Sequence, residues 1–221
     1  LPAKDYPFIS TNGLSIYMTD LETGKKRATT RKDLAMFAKL ADYLDAVGFF
    51  WPQVTASEVP EMAHNVHELW TSLQNTVKHV QGDSVNADDA QMQIRLATLV
   101  AGDEKELRKR PIFSVTCCPI APLSFERGAV EAQVVFARAG VPISSMSMSL
   151  SGMSSPVTIA GTIVNANVEN LASITITQTA SPGAPHMYAS ESTPIDMRSG
   201  TINYKANECP MIASTLAQMA K

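Results

Sequence analysis

Runs of alternating apolar and polar residues recur along this chain. Between them lie stretches whose apolar residues repeat every three or four positions, so strands and helices are expected to follow one another. Residues 14–19 alternate and read as a short strand or hairpin arm, entered through residues 8–13 with a turn signal at Asn12 and Gly13. Thr23 and Gly24 break the chain. Thr30 is placed as an N-cap with Asp33 three residues on. Leu34, Phe37, Leu40, Ala41 and Leu44 then follow at helical spacing, with Gly48 as the stop. Residues 49–54 read as a buried strand running into a loop. From Pro60, the stripe Met62, Val66, Leu69 and Leu73 predicts a second helix, and residues 77–81 a strand. Asn86 caps a third helix, with Asp88 and Asp89 at its positive end and Gly102 as the stop.

A charged segment leads to a strand over 111–117, a helix over 126–139 that Gly140 ends, and a strand over 141–148. Ser155 is the next N-cap candidate, because Pro156 suits a first helical position that needs no N–H. That helix is expected to run through Ile159, Ile163, Asn167 and Leu171. It should include the alternating residues 173–177, since no breaker precedes Ser181 and Pro182. A fifth strand over 186–190 and a helix over 207–219 complete the pattern. About five strand–helix units with long crossovers specify an α/β fold with a parallel sheet. A closed (β/α)8 TIM-type barrel needs eight strands, so the chain is either an open doubly wound sheet or an incomplete barrel. It is read as one domain: an N-terminal hairpin lead-in over 1–30, then strand–helix units over 31–221.

Composition narrows the partners. The chain has 221 residues, 45% hydrophobic and 18% charged, which excludes a disordered segment and leaves room for one large domain or two small ones. Eighteen Lys and Arg against 21 Asp and Glu give a net charge of -3 and argue against nucleic acid or an anionic membrane as the main partner. No apolar run approaches the ~18 residues of a membrane span. Residues 1–6 lack the layout of a secretory signal. Three cysteines, two of them adjacent, form no disulfide framework and point to a reducing cytoplasm.

In either architecture a ligand belongs beyond the carboxyl ends of the strands, in the loops 51–53, 81–83, 117–119, 147–155 and 188–200. No Gly-rich phosphate fingerprint is present. His64 and His67 lie on a helix without a third metal ligand, and the simpler reading is a solvated face with a His64–Glu68 pair. Cys117 and Cys118 at a strand end are candidates for a thiolate nucleophile or for packing, one to each face. The basic runs 25–32 and 105–110 read as solvated turns. Met146, Met148 and Met153 cluster near one strand end, as core filler or as a soft wall for a flat cofactor. Tyr17, Phe49, Phe50, Trp51 and Tyr188 are the aromatic residues near the expected strands or their ends, where a quaternary ammonium would find the aromatic faces it prefers, with core packing the simpler role for Phe49. Glu191 and Asp196 are the loop carboxylates best placed to balance a bound cation, with capping of a turn or helix as the alternative role for either.

One stretch goes further. Ser149-Leu150-Ser151-Gly152-Met153-Ser154-Ser155-Pro156-Val157-Thr158-Ile159-Ala160-Gly161 resembles a glycine–small–Ser/Thr–Pro–Val–Thr–x–Ala–Gly stretch of the trimethylamine:corrinoid methyltransferase family. Residues 170–178, 181–185 and 195–200 resemble the same family in order, and residues 8–13 more loosely. The resemblance runs through most of the chain and is strongest over 111–200. It implies a (β/α)8 barrel that demethylates a methylated amine, trimethylamine or a betaine, and hands the methyl to a corrinoid protein in one-carbon metabolism. Members are much longer, so the chain is expected to be a fragment. The site of the pyrrolysine that some members carry should lie past Lys221.

On that reading, Co(I) of a cobalamin-type corrinoid held by a partner protein attacks a quaternary ammonium methyl and a neutral amine leaves. The protein's task is desolvation, alignment and holding the cation. Phe50, Trp51 and Tyr188 would form the aromatic wall, with Glu191 or Asp196 attracting the cation. Cys117, Met148 and Met153 would face the corrinoid. No metal or cofactor is expected to be held tightly by this chain. The competing readings are a non-catalytic truncated barrel that binds a ligand or homo-oligomerises through exposed apolar edges, and another barrel enzyme with Cys117 as nucleophile.

Overall fold

The computed structural model describes residues 9–221. Phe8 and the N-terminal residues read above for a secretory signal lie outside the described residues. The described residues divide into two compact units, residues 9–84 with 88–115, and residues 85–87 with 116–221. It is an α/β protein in which parallel strands are joined by helices.

The first unit opens with β1 (Ile9–Ser10) and a hairpin of β2 (Tyr17–Thr19) and β3 (Lys26–Ala28), turned at Gly24, whose φ of 67° suits a residue without Cβ. Helix α1 (Arg31–Tyr43) follows. The Asp33 carboxylate accepts hydrogen bonds from Thr30 N at 2.8 Å and from Thr30 Oγ1 at 2.7 Å, and so closes the helix start as the sequence predicts. The same carboxylate takes both guanidinium nitrogens of Arg27 at 2.7 Å, which ties the hairpin to the helix. Next come β4 (Val47–Phe50), a 3-10 turn over Glu61–Ala63, α2 (His64–Asn75), β5 (His79–Gly82), α3 (Ala87–Ala101), α4 (Glu104–Lys109) and β6 (Phe113–Cys117). Gly48 lies inside β4 and does not end α1, because Leu44 already leaves helical geometry. The basic run 105–110 is mostly helix α4 and not a turn, because Asp103 accepts the N–H of Glu106 and caps it.

In this unit β4 pairs in parallel with β1 and β5, and β5 with β6. Register aligns Phe50 with Val80 and Val80 with Phe113, and all three are fully buried. Phe50 packs with Leu34, Ala38 and Ala41 of α1 and with Val54. The sheet's apolar side is therefore its helix-facing side. The strand alternation puts Phe49, Gln81 and Ser114 on the opposite side, and the chain emerges from β4 at Trp51 and from β5 at Asp83.

The second unit contains α5 (Arg127–Ala139), β7 (Ile143–Ser147), β8 (Leu150–Ser151), α6 (Ile159–Ala180), β9 (His186–Ser190), β10 (Thr193–Asp196), β11 (Thr201–Ile202) and α7 (Glu208–Met219). Strands β7 and β9 pair in parallel over five residues. Helix α6 begins at Ile159, later than Ser155 and Pro156 imply, because Thr158 caps it by accepting the N–H of Gly161. Ser155 instead bridges to Ser151. Residues 173–177 are helical, as the missing breaker predicts. The short strands β8, β10 and β11 carry too few residues to show a period.

Helix α6 meets helix α5 and the sheet through polar side chains. Gln133 donates to Ser173 O at 2.8 Å and Thr177 Oγ1 at 2.8 Å, and Ser145 donates to Asn170 at 2.6 Å. His186 lies between Thr177 and Ser145 at 2.9 and 3.0 Å, and burial holds its pKa down at about 4. Apolar packing is supplied by Ala166 with Ile212 and Leu216 of α7.

Arg27 holds the Asp33 carboxyl well below the usual carboxylate range against the opposing effect of burial. Because the folded value is depressed, its stabilising effect is present above the unfolded pKa of about 3.9 and is lost as pH falls towards the folded value. Asp33→Ala should cost about 1 kcal/mol in urea unfolding at pH 7. The gap from the parent protein should close in acid; an equal gap at pH 3 would contradict this account.

Candidate functional site

Trp51 directly follows β4 and Asp83 directly follows β5, so two neighbouring parallel strands deliver an indole and a carboxylate at their carboxyl ends. Trp51 is 8% exposed, and its Nε1 is buried with no hydrogen-bond partner of full geometry. Its indole N–H nonetheless attracts the Asp83 carboxylate. Burial is the larger effect and pushes Asp83 up to about 6.

Behind this pair lies a second acidic layer. Glu68 of α2 is buried and accepts a short hydrogen bond from Thr55. Burial raises its pKa, and the charges of Asp83 and Asp89 raise it further, while Thr55 and His64 oppose. Asp89 of α3 accepts from Asn65 and Ser84 at 2.8 Å each and from Gln93 at 3.1 Å. Gln93 also donates to Asp83 O at 2.9 Å, which fixes the Asp83 backbone. Its own Oε1 has no partner and faces the space that Gly82 leaves by lacking a Cβ. No salt bridge joins Asp83 or Glu68 to a lysine or arginine among the described residues. The solvated His64–Glu68 face expected from spacing is therefore corrected: Glu68 points inward to Thr55, and His64 contacts the carbonyl of Val59. No metal-binding group of His, Cys, Asp and Glu is found among the described residues.

The residues singled out from the sequence fall in different surroundings. Phe50 is fully buried against α1 and is not part of a binding wall. Cys117 ends β6 on the helix-facing side, where its thiol donates to Gln133 Oε1 at 3.2 Å, and burial pushes it up to about 11. It is an inert, packed thiol and does not line a mouth. Tyr188 turns towards α6 and donates to Asn167 at 3.1 Å, packing against Ala166, Ile212 and Leu216. Asp196 accepts from Arg198 N and Ser199 Oγ at 2.9 Å each, so its carboxylate closes the turn between β10 and β11. Glu191 lies near the Tyr204 hydroxyl, whose pKa its charge helps to raise after burial. Met148 is half-buried and Met153 is 68% exposed. Within the second unit these side chains do not converge.

The second unit has its own buried carboxylate. Glu169 of α6 accepts hydrogen bonds from Ser147, from Asn165 at 2.9 Å and from Leu123 N at 2.9 Å. Leu123 has a φ of 58°, costly for a side chain with Cβ, and the bond to Glu169 holds it there. With four protein donors in reach, counting Ser149 at 3.4 Å, Glu169 is a structural anchor.

Comparison with known proteins identifies a family and its relatives. The family model for trimethylamine methyltransferase (MTTB) matches residues 5–221. A trimethylamine methyltransferase of Methanosarcina mazei is 34% identical over 99% of this chain and 47% of its own length. One of Desulfitobacterium hafniense is 34% identical over 95% of the chain and 42% of its own length. A glycine betaine methyltransferase of Desulfitobacterium hafniense is 29% identical over 90% of the chain and 42% of its length. The chain thus spans about half the length of the curated relatives it matches.

The cysteine geometry predicts a labelling pattern. Iodoacetamide on the native protein should modify exposed Cys118 and leave Cys117 intact, with both labelled after unfolding, as read by peptide mass spectrometry. Native labelling of Cys117 at the rate of Cys118 would restore it as a candidate nucleophile.

Proposed function

We propose a function from one premise: this chain belongs to the trimethylamine methyltransferase (MTTB) family. The protein to which it belongs transfers a methyl group from a methylated amine, a quaternary ammonium in our reading, to the corrinoid of a partner protein. The observation that carries this reading is the match of residues 5–221, supported by relatives named for trimethylamine and for glycine betaine. The parallel strand–helix order is consistent with these residues forming part of a (β/α)8 barrel, whose chemistry sits at the carboxyl ends of its strands.

The residues fit the methylated cation. A quaternary ammonium is charged, apolar at its surface and donates no hydrogen bond. Its binding needs negative charge without a competing cation, together with aromatic surface. Asp83, Glu68 and Trp51 provide these at the ends of β4 and β5. When bound by its partner protein, a Co(I) corrinoid supplies the electron pair that takes the methyl as the C–N bond breaks, and the bond's own pair leaves with the nitrogen as a neutral amine. No general acid is therefore needed. This chain's side chains exclude water and orient the ammonium so that one methyl is presented.

The full-length protein, mixed with a reduced corrinoid protein and either trimethylamine or glycine betaine, should convert the Co(I) spectrum to that of the methylated cobalt form. Absence of conversion with every methylated amine offered would overturn the proposal.

A further inference from the structure

We propose that the Asp83 carboxylate, backed by the Trp51 indole, is the anionic subsite that holds the ammonium group of the substrate. The inference rests on the methyltransferase reading above and assigns its binding residues. Three observations carry it. First, register places the two side chains together: Phe50 pairs with Val80, so Trp51 aligns with Gln81, and Asp83 lies one pleat repeat further on. Second, the Trp51 N–H is buried and lacks a partner of full geometry, which is costly unless something completes it. Third, among the described residues no lysine or arginine forms a salt bridge with Asp83 or with Glu68 behind it.

A cation seated beside Asp83 answers both deficits. It stabilises the ionised carboxylate that burial otherwise disfavours, and the ionised carboxylate is the stronger acceptor for the indole N–H. The indole then serves two ends, with its N–H on Asp83 and its ring as the apolar surface that methyl groups need. Gln93 holds the Asp83 carbonyl at 2.9 Å, so the carboxylate departs from a fixed backbone.

The test uses the full-length protein and the variant Asp83→Asn, which keeps size and an acceptor for Trp51 but removes the charge. Binding of glycine betaine and of tetramethylammonium is followed by titration calorimetry, and methyl transfer separately. Both ligands should bind the variant about 10- to 100-fold more weakly. The neutral control 3,3-dimethylbutan-1-ol, which carries the methyl cluster on carbon in place of nitrogen, should bind both proteins alike. In turnover the loss should fall mainly on KM. Affinity within twofold of the parent for both ammonium ligands would overturn the assignment, whereas binding without methyl transfer would overturn the methyltransferase reading alone.

Should Asp83→Asn not fold, the parent protein's pH profile decides. Affinity for tetramethylammonium, whose charge is fixed, should rise as pH increases through about 6, where Asp83 ionises. Glu68 of α2 is the titratable group whose charge couples to Asp83, and His64 of α2 and Asp89 of α3 act in turn on Glu68. His64→Gln should leave that rise in place, and a flat profile would overturn the proposal.

Discussion

A parallel strand pair cannot be closed by a tight turn, so each strand of such a pair must be followed by a crossover that carries the chain back to the same edge. In the first unit this requirement sends the chain through α1 before β4, through α2 before β5 and through α3 and α4 before β6. Every strand therefore ends on the same side, and whatever residue follows it is placed there. Trp51 and Asp83 owe their proximity to this constraint and not to nearness in sequence. The core enforces it: Phe50, Val80 and Phe113 fill the helix-facing side, so the register that buries them also fixes where the next residues emerge.

The two units meet the cost of burying polar groups differently. In the second, α6 packs on α5, β7 and β9 through a network in which Gln133, Ser145, Asn170, Thr177 and His186 satisfy one another, and Glu169 is satisfied separately by Ser147 and Asn165. Such a network stabilises only when it is complete, and it holds α6 in one register on the sheet. In the first unit satisfaction is incomplete near the strand ends, where the Trp51 N–H meets Asp83 without full hydrogen-bond geometry, Gln93 Oε1 of α3 has no hydrogen-bond partner among the described residues, and carboxylates lie near one another. The contrast separates an anchoring network from a place suited to a ligand.

Much of the architecture was legible because long amphipathic segments and their caps are local signals. The Thr30–Asp33 start of α1, the Gly140 end of α5 and the helical reading of 173–177 all follow from neighbouring residues. Strands β8, β10 and β11 are too short to show a period, and α4 sits in a run whose charges hide its Asp103 cap. The site was less legible. Trp51 and the 81–83 loop were placed by strand ends alone, but the facing direction of Cys117 and Tyr188, and the inward turn of Glu68, depend on which side the helices cover. Single-residue alternation then sends a candidate to the core as easily as to the opening. Asp196, legible from its loop position either as a counter-charge or as a turn cap, is the turn cap, as short acidic side chains in turns commonly are.

The central claim is that the carboxyl ends of β4 and β5 hold a methylated cation. A crystal structure of the full-length protein with glycine betaine bound tests it most directly. The account predicts the ammonium within about 6 Å of the Trp51 ring centroid and beside the Asp83 carboxylate. A ligand bound away from both residues, with the Trp51 N–H and Asp83 unchanged by its presence, would contradict it.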